Sequence, residues 1–351
     1  MAGQGARLER LDGMRGLAAC VVAFGYHSAQ LFDPVAIAQA NPGPLAGWFM
    51  DMGWAFVDLF FLLSGFIFAH VYLGQKPIAT RADLGAFALA RVARLYPLHL
   101  LTLVLVALFA ANPANTGAAL LAHLGMAQAF VEPFAETYNG PAWSLTIEFI
   151  CYIAFAGLAF AGTRALKVGT WLLAGWGAVM LAVHGQVGGP WVADVLPRGL
   201  LGFFLGQLLW THRERLSRLP TWALATAVIA GLVMPTGELS PLLPLLLLAW
   251  PAALLLALRL PLAGSKAMCW LGDRSYGIYL IHMPLIYALK SATMQVTDGL
   301  EMVAVLAGFA ALTCLLAHLS LRWVELPAGR LVRSLPGRLR AAVAQPAPGR
   351  A

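Results

Sequence analysis

Three ionisable side chains stand inside otherwise apolar stretches: His27, Asp58 and Glu148. An ionisable group in a bilayer is costly, so it marks a place that faces a cavity or a partner. Counted down from the outer ends of their segments at 1.5 Å per residue, all three fall roughly 6–9 Å below one boundary. A carboxylate beside a histidine fixes its tautomer and raises its basicity, which is what a general base acting on a hydroxyl needs. His27, Glu148 and Asp58 are therefore the candidate catalytic residues. Ser144 and Glu148 share a helical face that Tyr152 continues one turn on. With Trp143, Tyr26 and the mid-segment His282, Ser144 and Tyr152 make up the candidate substrate pocket.

A second cluster has the opposite charge. Arg91 and Arg94, spaced i, i+3, project from one side of a turn before the third apolar segment, and Arg15 stands at the inner end of the first. Three guanidinium groups suit bidentate recognition of phosphate. A cationic inner site beneath an acid/base outer site describes a group carried from an anionic cytosolic donor to an acceptor outside. Each residue also has a plainer reading: a helix-to-helix hydrogen bond for His27, solvation for Asp58, and cytoplasmic anchoring for any one arginine.

The elements that must position these groups are membrane helices. Of the 351 residues 60% are hydrophobic and only 11% charged, with a mean hydropathy of +0.76. Soluble domains carry about 25% charged residues, so a water-soluble enzyme is excluded. A spanning helix needs roughly 20 mostly apolar residues. The pattern predicts an all-α polytopic membrane protein with about ten transmembrane helices, near 14–33, 54–73, 95–111, 143–162, 168–186, 195–211, 220–235, 241–259, 275–292 and 302–324. The run over 113–131 contains Pro113, Asn115 and His123 and reads as an interfacial or re-entrant piece. Pro42-Gly43-Pro44, Gly188-Gly189-Pro190 and Pro235-Thr236-Gly237 punctuate the joints.

With the N-terminus in the cytoplasm, every lysine and arginine except Arg198 and Lys290 falls on the inner side. That excess is expected of cytoplasmic loops, so both termini are read as cytoplasmic. The net charge of +7 is then a membrane-face bias, and no nucleic-acid partner is expected. Arg15 interrupts the first apolar run and no small-x-small cleavage site follows, which describes an uncleaved helix. Cys20, Cys151, Cys269 and Cys314 show no metal-ligand or disulfide spacing, and no metal is expected. Residues 1–327 read as the membrane domain. Residues 328–351 read as a basic, disordered cytoplasmic tail able to touch anionic lipid.

Five motifs in order resemble the bacterial membrane acyltransferase-3 family. They are Leu11-Asp12-Gly13-Met14-Arg15-Gly16-Leu17-Ala18-Ala19, Asp58-Leu59-Phe60-Phe61-Leu62-Leu63-Ser64-Gly65-Phe66, Arg91-Val92-Ala93-Arg94-Leu95-Tyr96-Pro97, Trp143-Ser144-Leu145-Thr146-Ile147-Glu148 and Tyr276-Gly277-Ile278-Tyr279-Leu280-Ile281-His282. The resemblance implies a ten-helix enzyme of the bacterial inner membrane. It would move an acyl group, usually acetyl, from cytoplasmic acyl-CoA to a hydroxyl of a carbohydrate, glycolipid or similar acceptor. The family's essential histidine and arginine would map to His27 and Arg15, and its paired arginines, facing acyl-CoA, to Arg91 and Arg94. The family typically places ten residues between that arginine and histidine, whereas eleven stand between Arg15 and His27. At about 100° per residue the extra one turns His27 off the face of Arg15. Either Tyr26 takes the role, or a one-residue π-bulge near Gly25 restores the register, the reading favoured here. Some members carry a soluble hydrolase-like domain after the helices; its absence here implies a separate periplasmic partner enzyme for any second step. A transporter or flippase of a lipid-linked sugar is the competing reading, and the internal repeat common in transporters is not found.

Overall fold

A computed structural model describes residues 3–110, 112–184, 191–237 and 239–334, and among them every regular element is a helix. The long ones are α1 (Gly3–Cys20), α2 (Phe56–Phe68), α3 (Arg81–Phe109), α4 (Trp143–Phe160), α5 (Thr163–His184), α6 (Val195–Thr211), α7 (Thr221–Val233), α8 (Trp250–Ala257), α9 (Lys266–Thr293) and α10 (Gly299–Ser320). Five continuous helical runs are long and apolar enough to cross a membrane: Gly43–Leu73, Arg81–Phe109, Gly140–Phe160, Thr163–His184 and Gly299–Ser334. The run expected over 113–131 breaks into short pieces, the longest being the helix Gly117–Leu124.

Capping chemistry moves two helix starts from where hydropathy puts them. At α3 the Thr80 N–H donates to Asp83 Oδ2 at 2.8 Å and the Asp83 N–H donates back to Thr80 Oγ1 at 3.2 Å. This reciprocal pair satisfies two end donors, so α3 begins at Arg81 and Arg91 and Arg94 lie inside it rather than before it. At α9 a single bond does the capping: the Met268 N–H donates to Ser265 Oγ, and the helix starts at Lys266 rather than near 275. At the other end of the chain helix continues to Ser334, so residues 328–334 are not part of a disordered tail. The rest of that expected tail, and the Gly188-Gly189-Pro190 break, lie outside the described residues.

Close backbone approach fixes how the helices meet. Helix α1 packs chiefly on α9 and α6 chiefly on α2. A Cβ on Gly272 would stand 2.2 Å from Asp12 O, and one on Gly206 would stand 2.1 Å from Leu62 O. Only glycine fits at such contacts, the usual device where helices cannot rely on excluding water to associate. Every residue of α9 from Arg274 to Pro284 is buried. This middle stretch is buried all round and forms the axis of the fold, and α1, α3 and α10 all pack against α9. Apolar side chains such as Leu108, Leu172, Val183 and Trp222 are instead exposed on the periphery, as a lipid-facing surface requires.

Candidate active site

The register of the first helix is resolved by its backbone. After Cys20 the chain runs as a π turn, Val21–Tyr26, in which the His27 N–H donates to Val22 O five residues back. A 3-10 turn, His27–Leu31, follows. The π turn takes up one residue within the segment holding Gly25, where the favoured reading expected a bulge. His27 therefore faces α9, with its Nδ1 3.0 Å from His282 Nε2 and the ring centroids 5.0 Å apart. Tyr26 stacks beside His27 at 4.7 Å. Gly53 makes room for it, since a Cβ there would stand 3.0 Å from Tyr26 Cβ.

Two cavities lie in the space between the helices. The one on the side expected to face the cytoplasm, called inner below, is about 160 Å3 and is lined by Arg15, Arg91, Arg94, Glu148, Tyr152 and Ser64 among others. Arg15 pairs with Asp12 at 3.0 Å and reaches Ser275 Oγ at 3.4 Å. Arg94 pairs with Glu325 at 3.0 Å and lies 4.8 Å over the Tyr276 ring. Arg91 differs from both. Among the described residues it forms no ion pair; its guanidinium sits against the rings of Phe68, Phe87 and Tyr152 at 5.0–5.6 Å. Cation–π contact steadies that charge while leaving it available to an anion.

The outer cavity, about 570 Å3, is lined by Tyr26, His27, Trp54, Trp143, Trp191 and Arg198, with Asp194, Glu132 and Glu136 at its walls. Arg198 donates to Asp58 twice, Nε to Oδ1 at 3.0 Å and Nη2 to Oδ2 at 3.1 Å, and pairs with Asp194 at 3.6 Å. Trp54 and Trp143 hold the guanidinium at 4.9 and 5.2 Å. Val57 and Tyr279 line both cavities and form the partition between them. The Tyr279 hydroxyl donates to Pro141 O at 2.9 Å and lies 2.9 Å from Ser144 Oγ.

This geometry corrects the expected pairing of His27 with a carboxylate. Asp58 gives both oxygens to Arg198, because a buried carboxylate requires a charged partner. Glu148 lies in the inner cavity with the arginines, where Ser64 and Tyr152 hydroxyls donate to its Oε1. The partner of the His27 ring is His282, which lines neither of these two cavities and is fully buried behind His27. The other pocket candidates divide, Tyr26 and Trp143 to the outer cavity, Ser144 and Tyr152 to the inner. Arg198, Ser64 and Tyr279 are the neighbours that sequence reasoning passes over. Arg198 did leave a signal: it is one of two basic residues on the wrong side of the charge pattern, and it stands four residues after Asp194 on one helical face.

A family model described as an acyltransferase domain matches residues 8–319. Acyltransferase MdmB of Streptomyces mycarofaciens is 29% identical over 320 residues, 80% of this chain and 79% of its own length. "Putative peptidoglycan O-acetyltransferase YrhL" of Bacillus subtilis (strain 168) is 29% identical over 321 residues, 78% of this chain. The chain spans only 50% of that relative's length. "Protein 2 in picA locus" of Rhizobium radiobacter is 34% identical over 203 residues, 50% of this chain and 94% of its own length. No solved structure matches significantly.

Proposed function

The chain belongs to the acyltransferase-3 family, and from that premise we propose that it transfers an acyl group, most simply acetyl, from cytoplasmic acyl-CoA to a carbohydrate hydroxyl on the far side of the bacterial inner membrane. The observation that carries this reading is the stacking of two chemically opposite cavities on one partition, Val57 and Tyr279. In this reading ten helices span the bilayer with both termini inside, which leaves the arginine cavity nearer the cytoplasm. Arg91, Arg94 and Arg15 meet the phosphates of acyl-CoA at the inner cavity, and the thioester reaches the partition.

On the outer side His27 takes the proton of the acceptor hydroxyl. The acceptor oxygen attacks the thioester carbon, the C–S bond breaks, and the coenzyme A thiolate leaves with the proton returned by His27. The tryptophan-rich lining of the outer cavity supports a sugar acceptor, since aromatic faces and buried polar groups together hold a polyol. One relative is named for O-acetylation of peptidoglycan, another glycan. In this reading Glu148 serves the donor side by holding Tyr152 and Ser64, and Asp58 acts through Arg198 on the shape of the outer cavity.

The test is reconstitution. Protein in sealed vesicles, supplied with radiolabelled acetyl-CoA at its cytoplasmic face and a glycan extract at the other, should place label on the glycan. A transporter of lipid-linked sugar would move glycan without labelling it, and that result would overturn the reading.

A further inference from the structure

His282 is fully buried, two turns of α9 above Ser275, and no described carboxylate touches it. Its Nδ1 lies 3.1 Å from Ile278 O, the carbonyl one turn back on its own helix. A carbonyl oxygen can only accept, so Nδ1 carries the hydrogen, and the neutral ring then has a bare Nε2. That Nε2 faces His27 Nδ1 at 3.0 Å. The only bond these two nitrogens can make is donation from His27 Nδ1–H to His282 Nε2. A neutral His27 with its hydrogen on Nδ1 presents an unprotonated Nε2, and His27 lines the outer cavity.

We propose that His282 is the positioning residue of this site: a backbone carbonyl sets the tautomer of His282, and His282 in turn sets the tautomer and aim of His27, so that His27 Nε2 is the basic nitrogen facing the acceptor. The arrangement performs with a second imidazole what a carboxylate performs beside the histidine of a serine hydrolase. The proton balance is simple. The acceptor O–H proton goes to His27 Nε2 and from there to the departing thiolate, while the Nδ1 hydrogen of His27 stays in its bond to His282 throughout. The π turn serves this arrangement, since without it His27 would point about 100° away from α9.

The proposal rests on His27 acting as the base, and the experiment keeps the two claims apart. Nitrogen-15 NMR of histidine-labelled protein in nanodiscs should show His27 and His282 both protonated at Nδ1 at neutral pH. His27 protonated at Nε2 instead overturns the proposal whatever the enzyme does. Variants then test its use. His282→Phe keeps a ring of similar shape but no acceptor, and it should lose about 10²-fold or more in kcat with acyl-CoA KM unchanged; a triad histidine in the wrong tautomer loses about 10⁴. His282→Gln, whose amide oxygen can accept at the position of Nε2, should recover most of that loss. Full activity in His282→Phe, or equal loss in both variants with folding intact, contradicts a positioning role. His27→Ala with normal transfer contradicts the base itself.

Discussion

A carboxylate and a guanidinium taken out of water together steady each other, and removing one strands the other. Asp58 and Arg198 are both almost wholly buried and joined by two hydrogen bonds. Arg198→Met should therefore destabilise the protein by about 3–5 kcal/mol, the cost of an unpaired buried charge. The double variant Asp58→Leu with Arg198→Met should be more stable than Arg198→Met alone, because no charge is left behind. Unfolding in detergent, followed by tryptophan fluorescence, measures both. If Asp58 were instead a reacting carboxylate, Asp58→Leu would fold normally and lose only turnover. The sequence shows Asp58 as a charge at the right depth, but it cannot show which charge lies opposite; Arg198 is 140 positions away and meets it only through α2–α6 packing.

Among the helices, apolar runs are legible in the sequence, whereas starts set by capping are not. The N-terminal halves of α3 and α9 are too polar to look like membrane helices, yet Thr80 and Ser265 begin them there. The π turn is legible, because one residue too many between Arg15 and His27 leaves few other ways to keep both on one face. Deleting Ala23 should convert that turn to ordinary α-helix and leave His27 in place, so transfer should persist; inserting an alanine there should abolish it. Equal loss in both would show that the π turn does not absorb the extra residue. Gly272→Val should force α1 off α9, costing roughly 1–3 kcal/mol or more by overpacking. Arg15 would move with α1, so acyl-CoA affinity should fall alongside the melting temperature. A Gly272→Val protein that melts and binds normally would contradict the close approach of Asp12.

For the molecule as a whole, the charge pattern predicts direction and the two cavities differ in chemistry. Three arginines face one carboxylate in the inner cavity, while Arg198 faces several carboxylates in the outer one. That polarity is half legible in sequence: the inner arginines and His282 stand in recognisable motifs, but the Val57–Tyr279 partition and the pairing of His282 with His27 emerge only when α9 is threaded through the centre. If both termini are cytoplasmic, a cysteine at Gly237 should react with an impermeant thiol reagent in intact cells and one at Ser217 should not; the reverse would invert the site. The central claim is that donor binding and proton transfer reside in different cavities. One reconstituted preparation tests it, by measuring acetyl-CoA affinity calorimetrically and acyl transfer in parallel for His27→Ala and Arg91→Ala. His27→Ala should bind acetyl-CoA as the unaltered protein does while transfer falls about 10²–10⁴-fold, and Arg91→Ala should lose roughly 1.5–3 kcal/mol of binding. Loss of acetyl-CoA binding in His27→Ala, or unchanged binding in Arg91→Ala, would contradict the account.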